Sequence, residues 1–191
     1  MNDKMKILYV HGYGSNKDSH TGQMLKKYFG GMPAAEVVTE TFDLEDGQAT
    51  IARIGRIVTE EGIQIIVASS LGAFHTLALD AAVPKILINP CMRPSLVMDN
   101  FMDSPNEALK QLCEKVENHT YARVDEYAKR HTFAAFSTND ELFSFKELFD
   151  SLYDPANSLS IPGGKHHLDY PQIALMLDTF VPQCKQDTHA D

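Results

Sequence analysis

The chain has 191 residues, of which 43% are hydrophobic and 23% charged, a composition typical of one globular domain with a sizeable core. The formal net charge of −9 argues against a nucleic acid partner, because binding to phosphates needs a basic surface. No apolar run approaches the roughly 18 residues of a membrane span, so we also expect no membrane partner.

The cysteines indicate the compartment. Cys91, Cys113 and Cys184 lie far apart, are odd in number and form no CxxC motif, so they are expected to be free thiols. The short apolar run before His11 is not long enough for the core of a signal peptide. We therefore predict a cytoplasmic location.

Strand-like and helix-like segments alternate along the chain. An apolar run at 6–10 is followed by a loop and then by helical spacing of apolar residues that ends at Gly30-Gly31. The further predicted segments are strands at 37–42, 63–68, 85–90, 131–137 and 158–161, helices after the second and third strands, and a last helix over 171–180. Several strands are apolar on both faces, which is typical of a parallel sheet covered by helices. We predict an α/β fold, a three-layer α/β/α sandwich around a mostly parallel sheet of six strands.

Residues 91–130 interrupt this alternation with about 40 residues of mostly helical pattern. A capping box, Ser104-Pro-Asn-Glu107, predicts the start of one helix there. The segment is either a helical insertion packed on the edge of the sheet or a small cap over the carboxyl ends of the strands. We favour the cap because the segment follows the fourth strand, and we treat 1–191 as a single domain with this insertion.

The third predicted strand runs directly into Ser69-Ser70-Leu-Gly72, where a nucleophile elbow would hold a serine on a tight strand-to-helix turn. Such a turn needs small residues two positions before and two positions after the nucleophile. Centred on Ser70 these are Ala68 and Gly72, whereas centring on Ser69 places a bulky valine and leucine there. The spacing favours Ser70 over Ser69, although a plain strand-to-helix turn is the better explanation of this motif when it is taken alone.

A serine nucleophile needs a histidine to accept its proton and a carboxylate to orient that histidine. In an elbow-type hydrolase the order along the chain is serine, acid, histidine. Asp140 and Glu141 follow the fifth predicted strand, and His166 and His167 follow the sixth. Both members of each pair remain candidates, and each pair alone is also typical of a solvated loop.

The other histidines fit the role of base less well. On an α-helix, His75 would lie about 7.5 Å along the axis and about 140° around it from Ser70, so we expect a packed or surface side chain. His20, His119, His131 and His189 are expected at the surface. No HExxH or related spacing is present, so we predict no metal and no cofactor.

Donors for a developing oxyanion are expected at two backbone positions. One is the N–H of Leu71, directly after the proposed nucleophile, and the other comes from the loop His11-Gly12-Tyr13. Gly12 allows a close backbone approach that would bring the Tyr13 N–H near Ser70. His11 and Gly12 are predicted to contact substrate, with an ordinary Gly-rich turn as the alternative.

Arg93 is a further candidate for substrate binding, because a guanidinium binds carboxylate or phosphate in a bidentate manner. The alternative is that Arg93 pins the insertion to the sheet through backbone carbonyls. We favour that alternative, because the chain reverses between Pro90 and Pro94.

Taken together, these motifs resemble the YqiA-like family of small bacterial esterases, which belongs to the α/β-hydrolase superfamily. The resemblance rests on His11-Gly-Tyr-Gly-Ser15, Ser69-Ser-Leu-Gly72, Asn89-Pro-Cys-Met-Arg-Pro94, Asp140-Glu141 and Gly163-Gly-Lys-His166. It implies Ser70 as nucleophile, Asp140 as acid and His166 as base, with no cofactor. Asn139 and Lys165 stand where that family has glycine and asparagine.

The resulting prediction is a cytoplasmic serine esterase that hydrolyses small or acyl carboxylic esters through an acyl-enzyme. One alternative is an acyl thioesterase, which would use the same residues. The other is a hydrolase-like fold without catalytic activity that serves as a binding module. In the first two cases the partner is a small-molecule ester or thioester.

Overall fold

A parallel six-stranded sheet lies at the centre of the computed structural model, which describes residues 4–104 and 107–186. All five strand pairs are parallel, in the order β2-β1-β3-β4-β5-β6. The strands are β1 Met5–Val10, β2 Ala35–Thr39, β3 Ile65–Ser69, β4 Lys85–Ile88, β5 Thr132–Ser137 and β6 Ser158–Ile161. The predicted α/β fold with a six-stranded sheet is therefore confirmed.

Helices cover both faces of the sheet, because its central strands are apolar on both sides. One face packs against α1 (His20–Gly30) and α8 (Tyr170–Gln186). The other packs against α2 (Gly47–Glu61), α3 (Ser70–Leu77) and α7 (Lys146–Leu152). This arrangement is the predicted three-layer sandwich.

Most element boundaries differ from the sequence prediction by one or two residues, and two larger differences have a visible cause. Strand β2 ends at Thr39 rather than at 42, because the Phe42 N–H donates to the His11 ring, 2.9 Å away, instead of to a neighbouring strand. Helix α8 continues past 180 because Val181 and Cys184 still lie buried against the sheet. Pro182 lies inside this helix without ending it.

The segment between β4 and β5 is helical, with α4 at Pro94–Val97, α5 at Glu107–Tyr121 and α6 at Glu126–His131. Helix α5 buries Cys113 in the same apolar cluster as Leu71 and Phe74 of α3. Most of the segment therefore packs over the helices on one face of the sheet. The predicted capping box includes Pro105 and Asn106, which lie outside the described residues.

Helix α5 also fixes the chain that leaves β4. The Glu117 side chain is 2% exposed, and its carboxylate accepts the Ser95 N–H at 2.8 Å and the Ser95 hydroxyl at 2.7 Å. Tyr121 donates its hydroxyl hydrogen to the Met92 carbonyl. These two side chains, rather than the proposed Arg93, hold the chain reversal after β4.

Two histidines outside the candidate site, His75 and His131, are buried, although the sequence analysis expected His131 at the surface. His131 is buried, and its ring stacks on Tyr127 with 4.0 Å between the ring centroids, because α6 passes directly into the buried strand β5 at this point. The prediction of a surface position for His131 is wrong. His75 is packed, and its Nε2–H donates to the Leu44 carbonyl at 2.9 Å. His189 lies outside the described residues.

Within the described residues, no helix combines the length and apolar character needed to cross a membrane. All three cysteines are buried and are not joined in disulfides.

Replacing Glu117 with alanine is expected to lower the free energy of unfolding by about 1–3 kcal/mol, because two donors of Ser95 lose their acceptor. Glu114→Ala, at an exposed position of the same helix, provides the control and should change stability by less than about 0.5 kcal/mol. Urea unfolding measures both. Equal stability of the two variants would contradict the proposed role of Glu117.

Candidate active site

A cleft of about 720 Å³ opens at the carboxyl edge of the sheet, where the loops after β1, β3 and β6 meet. Ligands bind at this edge in open parallel sheets. The walls of the cleft come from the loop after β1, the start of α1, Ser69 and Ser70, Asn100 and Phe101, and residues 166–168. The helical insertion reaches the cleft through Asn100 and Phe101.

Ser70 occupies a strained turn between β3 and α3. Its φ is +51°, in the left-handed region that non-glycine residues seldom adopt, at a typical cost of about 1–3 kcal/mol. Its carbonyl accepts the Cys91 N–H at 3.1 Å, which ties the turn to the chain after β4. Because Ser70 opens the helix, the following Leu71 N–H has no acceptor within it and is available to a ligand.

The turn is crowded at the positions that the sequence spacing identified. A Cβ atom on Gly72 would overlap the carbonyl oxygen of His11 and lie 2.9 Å from that of Val10. Ala68, on the other side of Ser70, is fully buried. Only glycine fits at 72, so the loop after β1 and the start of α3 are in direct backbone contact.

The structure brings Ser70, His166 and Asp140 together. The Ser70 Oγ lies 3.0 Å from His166 Nε2, and His166 Nδ1 lies 2.8 Å from Asp140 Oδ2. The side chains of His166 and Asp140 are 5% and 2% exposed. With Nδ1–H donating to the carboxylate, Nε2 is free to accept the Ser70 hydroxyl hydrogen.

Asp140 is prepared to remain ionised. Burial opposes the charged form, but hydrogen bonds from His166 and from the backbone N–H groups of Leu142 and Phe143 lower its pKa. The ionised carboxylate fixes the His166 tautomer and its ring orientation. The Phe143 ring packs edge-on against His166, with 4.9 Å between the centroids.

The two neighbouring candidates have other positions. Glu141 accepts the backbone N–H of His166 at 3.0 Å and so holds the main chain rather than the ring. His167 is exposed at the cleft, with its ring edge-on to that of His166. Among the paired candidates, Asp140 and His166 are therefore the ones in contact with each other and with Ser70.

Asn89 is a site residue to which the sequence reasoning assigned no role. Its φ is +42°, and the two hydrogens of its side-chain amide are shared among three acceptors: the Ser137 hydroxyl at 2.9 Å and the carbonyls of Lys165 and His166 at 3.1 and 2.9 Å. Its Oδ1 accepts the Ser137 N–H at 2.7 Å. One side chain thus joins the end of β4, the end of β5 and the loop that carries His166. The Asn-Pro pair at the end of a predicted strand was the available signal.

The loop after β1 lies against the serine turn. A Cβ on Gly12 would lie 3.1 Å from Ser70 Cβ, so the Gly12 backbone contacts the candidate nucleophile directly. The Tyr13 ring forms part of the cleft wall, donates its hydroxyl to Glu45 at 3.0 Å and contacts Phe101. Gly12 therefore lies against Ser70 and Tyr13 lines the cleft, while the role of the Tyr13 N–H as an oxyanion donor stays a prediction.

His11 lies beneath this loop and not in the cleft. Its Nε2 accepts the Phe42 N–H, so the hydrogen is on Nδ1, which donates to the Gly12 carbonyl at 2.8 Å. Burial lowers the pKa of His11, while its hydrogen bond to Gly12 opposes that shift. The ring supports the loop from below, and the structure offers it no contact with a substrate in the cleft.

Arg93 also lies outside the cleft-lining set. Its Nε is buried and has no hydrogen-bond partner within residues 4–104 and 107–186. The Arg93 Nε therefore does not anchor the insertion to a backbone carbonyl, and Arg93 does not line the cleft in which a substrate contact was predicted. Across the same residues, no three His, Cys, Asp or Glu side chains are grouped so as to hold a metal ion.

Comparison with known proteins places these features in a family and a fold. A model of the uncharacterised protein family UPF0227 matches residues 6–173. No curated protein matches the chain in sequence.

Solved structures share the fold at low sequence identity. Est1E from Butyrivibrio proteoclasticus with bound ferulic acid superposes with a TM-score of 0.72 at 13% identity, over 97% of this chain and 90% of that one. FphF, a fluorophosphonate-binding serine hydrolase of Staphylococcus aureus, has a TM-score of 0.65 at 11% identity, over 96% and 85%. Mouse alpha/beta hydrolase domain-containing protein 10 has a TM-score of 0.65 at 15% identity, over 93% and 88%. The likeness shows an α/β-hydrolase fold.

Gly72→Ala is expected to disrupt the serine turn, because the added methyl group overlaps backbone atoms that cannot move independently of β1. We expect the free energy of unfolding to fall by about 3 kcal/mol or more. Gly30→Ala is the control, since a Cβ there meets nothing within 4 Å at the end of α1. Thermal and urea unfolding measure the two. A Gly72→Ala variant as stable as Gly30→Ala would refute the close approach.

The unfolding free energy is expected to decrease as the pH falls below about 6.5, in part through His11. The pKa of His11 is lower in the folded protein than its unfolded value of 6.5. Its contribution to the free energy of unfolding is therefore complete above pH 6.5, and it is lost as the pH falls below 6.5 and the unfolded chain takes up a proton that the folded protein does not. His11→Gln should retain a donor and an acceptor and show a shallower pH dependence between pH 7 and 5. His119→Gln, at an exposed position, should match the wild-type slope. Urea unfolding across this pH range tests the difference.

Proposed function

Because the chain belongs to the YqiA-like family UPF0227 and has an α/β-hydrolase fold, we propose that it is a serine hydrolase of carboxylic esters. The observation that carries this proposal is the continuous contact from Ser70 Oγ through the His166 ring to the Asp140 carboxylate, at 3.0 and 2.8 Å. These are the contacts by which a serine hydroxyl becomes a nucleophile.

In the proposed reaction, His166 Nε2 takes the Ser70 proton while Ser70 Oγ attacks the carbonyl carbon of the ester. Asp140 stabilises the imidazolium that forms, and His166 then gives the proton to the leaving alcohol. Water activated by the same histidine cleaves the acyl-enzyme. The strained φ of Ser70 supports this role, because strain at such a turn holds the hydroxyl out from the backbone toward the cleft.

The oxyanion would bind the backbone N–H groups of Leu71 and Tyr13. Leu71 is free of an intrahelical acceptor, and Tyr13 follows Gly12, which contacts Ser70. Fixed donors of this kind typically contribute about 3–4 kcal/mol each to the barrier. Because Gly12 has no side chain, its backbone can contact Ser70, and this contact brings the loop that carries the Tyr13 N–H close to the nucleophile.

The composition of the cleft supports a small uncharged ester as the substrate. Its described lining includes the rings of Tyr13 and Phe101, several hydroxyls and the three histidines His20, His166 and His167, but no Asp, Glu, Lys or Arg. A charged group on the substrate would therefore lose its hydration without gaining a partner. The three free cysteines support a reducing, cytoplasmic setting for this activity.

Labelling with a fluorophosphonate probe tests the nucleophile. Wild-type protein should be labelled, and Ser70→Ala should lose both labelling and, by a factor on the order of 10³ or more, ester hydrolysis. Ser151→Ala is the matched control, because that serine is exposed on α7 and its hydroxyl donates to the Leu148 carbonyl of the same helix. It should be labelled and active like the wild type.

Two results would contradict the proposal. Undiminished labelling of Ser70→Ala would assign the reactive hydroxyl to another residue. Folded wild-type protein that neither reacts with the probe nor hydrolyses p-nitrophenyl butyrate would instead favour a binding module.

A further inference from the structure

Ser69, the serine beside the proposed nucleophile, ends a chain of hydroxyl groups. Its Oγ lies 3.0 Å from the Tyr9 hydroxyl, and the Ser19 hydroxyl lies 3.5 Å from Tyr9 on the other side. Strands β1 and β3 are neighbours, and Tyr9 is paired with Val67. Ser69 lies two residues after Val67 on the same strand, so the side chains of Tyr9 and Ser69 point to the same face of the sheet. Ser19 is the N-cap of α1, and its Oγ accepts the Gly22 N–H at 3.1 Å.

The first two hydrogen bonds of this chain have assigned donors. The Gly22 N–H donates to Ser19, and Ser19 donates to the Tyr9 hydroxyl. Tyr9 has one hydroxyl hydrogen, and Ser69 Oγ is the acceptor in reach. Either hydroxyl of the Tyr9–Ser69 pair can donate at this distance. When Tyr9 donates, its buried hydrogen has an acceptor and the Ser69 hydrogen is left for a ligand, so we infer this arrangement. The positive end of the α1 dipole and the cooperativity of successive hydrogen bonds both make Ser69 a stronger donor.

The free hydroxyl of Ser69 faces the cleft close to Ser70. Measured from the position of a Cβ on Gly12, Ser70 Cβ lies at 3.1 Å and Ser69 Oγ at 3.7 Å, so both serines lie against the same backbone atoms. Both Tyr9 and Ser69 line the cleft, but Tyr9 is only 2% exposed whereas Ser69 is half-buried, so Ser69 is the more accessible of the two to a ligand.

The two sides of the cleft differ in polarity. Tyr9 packs in the apolar cluster beneath α1 and α8, and Ser69, Ser19 and Thr21 line the cleft on that side. Tyr13 and Phe101 pack against the cluster on the opposite face of the sheet. Aromatic rings thus line one side of Ser70, and hydroxyl groups line the other.

We propose that the Ser69 hydroxyl is a substrate-binding donor that recognises an uncharged oxygen, such as an ether, hydroxyl or carbonyl oxygen, near the scissile ester bond. This inference rests on the proposed esterase function and narrows its substrate class to oxygen-substituted esters. An anionic acceptor is disfavoured, because the described lining of the cleft has no cationic Lys or Arg to balance it.

The test compares two pairs of esters, and the members of each pair are of equal size. p-Nitrophenyl methoxyacetate and p-nitrophenyl butyrate have the same leaving group and differ only by an oxygen in place of a methylene. A second pair, 2-methoxyethyl acetate and n-butyl acetate, moves the oxygen to the alcohol side. For each pair the ratio of kcat/KM values is measured in the wild type and in variants, so that differences in intrinsic ester reactivity cancel.

In Ser69→Ala, the preference for the oxygen-containing ester should fall about fivefold in at least one pair, as expected for loss of one hydrogen bond. Tyr9→Phe should reduce the same ratio, and the double variant should lose no more than Ser69→Ala alone, because Tyr9 acts through Ser69. Ser151→Ala should leave the ratio unchanged. If Tyr9→Phe does not fold, the Ser69→Ala ratio decides alone.

An unchanged ratio for both pairs in Ser69→Ala, with the wild type active, would overturn this inference and leave the proposed function standing. Absence of hydrolysis of all four esters by folded wild-type protein, together with absence of fluorophosphonate labelling, would overturn both. A merely structural role of Ser69 would lower the activity on the members of a pair equally and is distinguished in this way.

Discussion

The backbone contact between the loop after β1 and the first turn of α3 is the constraint on which the candidate site depends. Gly72 lies so close to the His11 carbonyl that no side chain fits between them. This contact brings Gly12 against Ser70 and sets the turn in which Ser70 adopts its strained φ. His11 maintains the contact from below, because its two ring nitrogens bond the backbone on either side, at Gly12 and Phe42.

A second fixed point holds the other half of the site. Asn89 bonds the end of β5 and the main chain at Lys165 and His166, so the position of the His166 ring is tied to the same sheet edge as Ser70. Glu141 holds the His166 backbone N–H, while Asp140 holds the ring. Bonds to its main chain, from Asn89 and Glu141, therefore set the position of His166, and the Asp140 carboxylate sets the orientation of its ring. Such independent support is needed to keep hydrogen bonds of about 3 Å in place in a buried site.

The helical insertion has two separate roles in the structure. Helix α5 packs over α3 and fixes the chain after β4 through Glu117 and Tyr121. The turn that follows α4 provides Asn100 and Phe101 to the cleft. The insertion thus packs on the fold over most of its length and contributes to the cleft at one end.

The sequence by itself determined the fold class and the short list of site residues. Alternation of apolar runs and helical spacing identified the six parallel strands, since both periodicities follow from local backbone geometry. Ala68 and Gly72 selected the register of the turn, because crowding there depends on residue size alone. The sequence order of serine, carboxylates and histidines likewise indicated which loops would meet.

The spacing of residues left the choice between neighbours within those loops open, and the family resemblance implied Asp140 and His166. Only the tertiary structure showed that these two side chains contact each other and Ser70, and which residues support them. Asp140 and Glu141, or His166 and His167, differ by one position, and the direction of each side chain depends on how its loop packs. His11 was expected to contact substrate, and Arg93 either to contact substrate or, as favoured, to pin the insertion. In the structure the His11 ring bonds the backbone at Gly12 and Phe42, and the buried Arg93 Nε has no hydrogen-bond partner among the described residues. Asn89 bonds residues that lie 48 and 77 positions away in the sequence. The chain of hydroxyl groups joins Ser19 to Tyr9 over 10 positions and Tyr9 to Ser69 over 60. Contacts over such separations arise from the order of strands in the sheet, and no local pattern in the sequence records them.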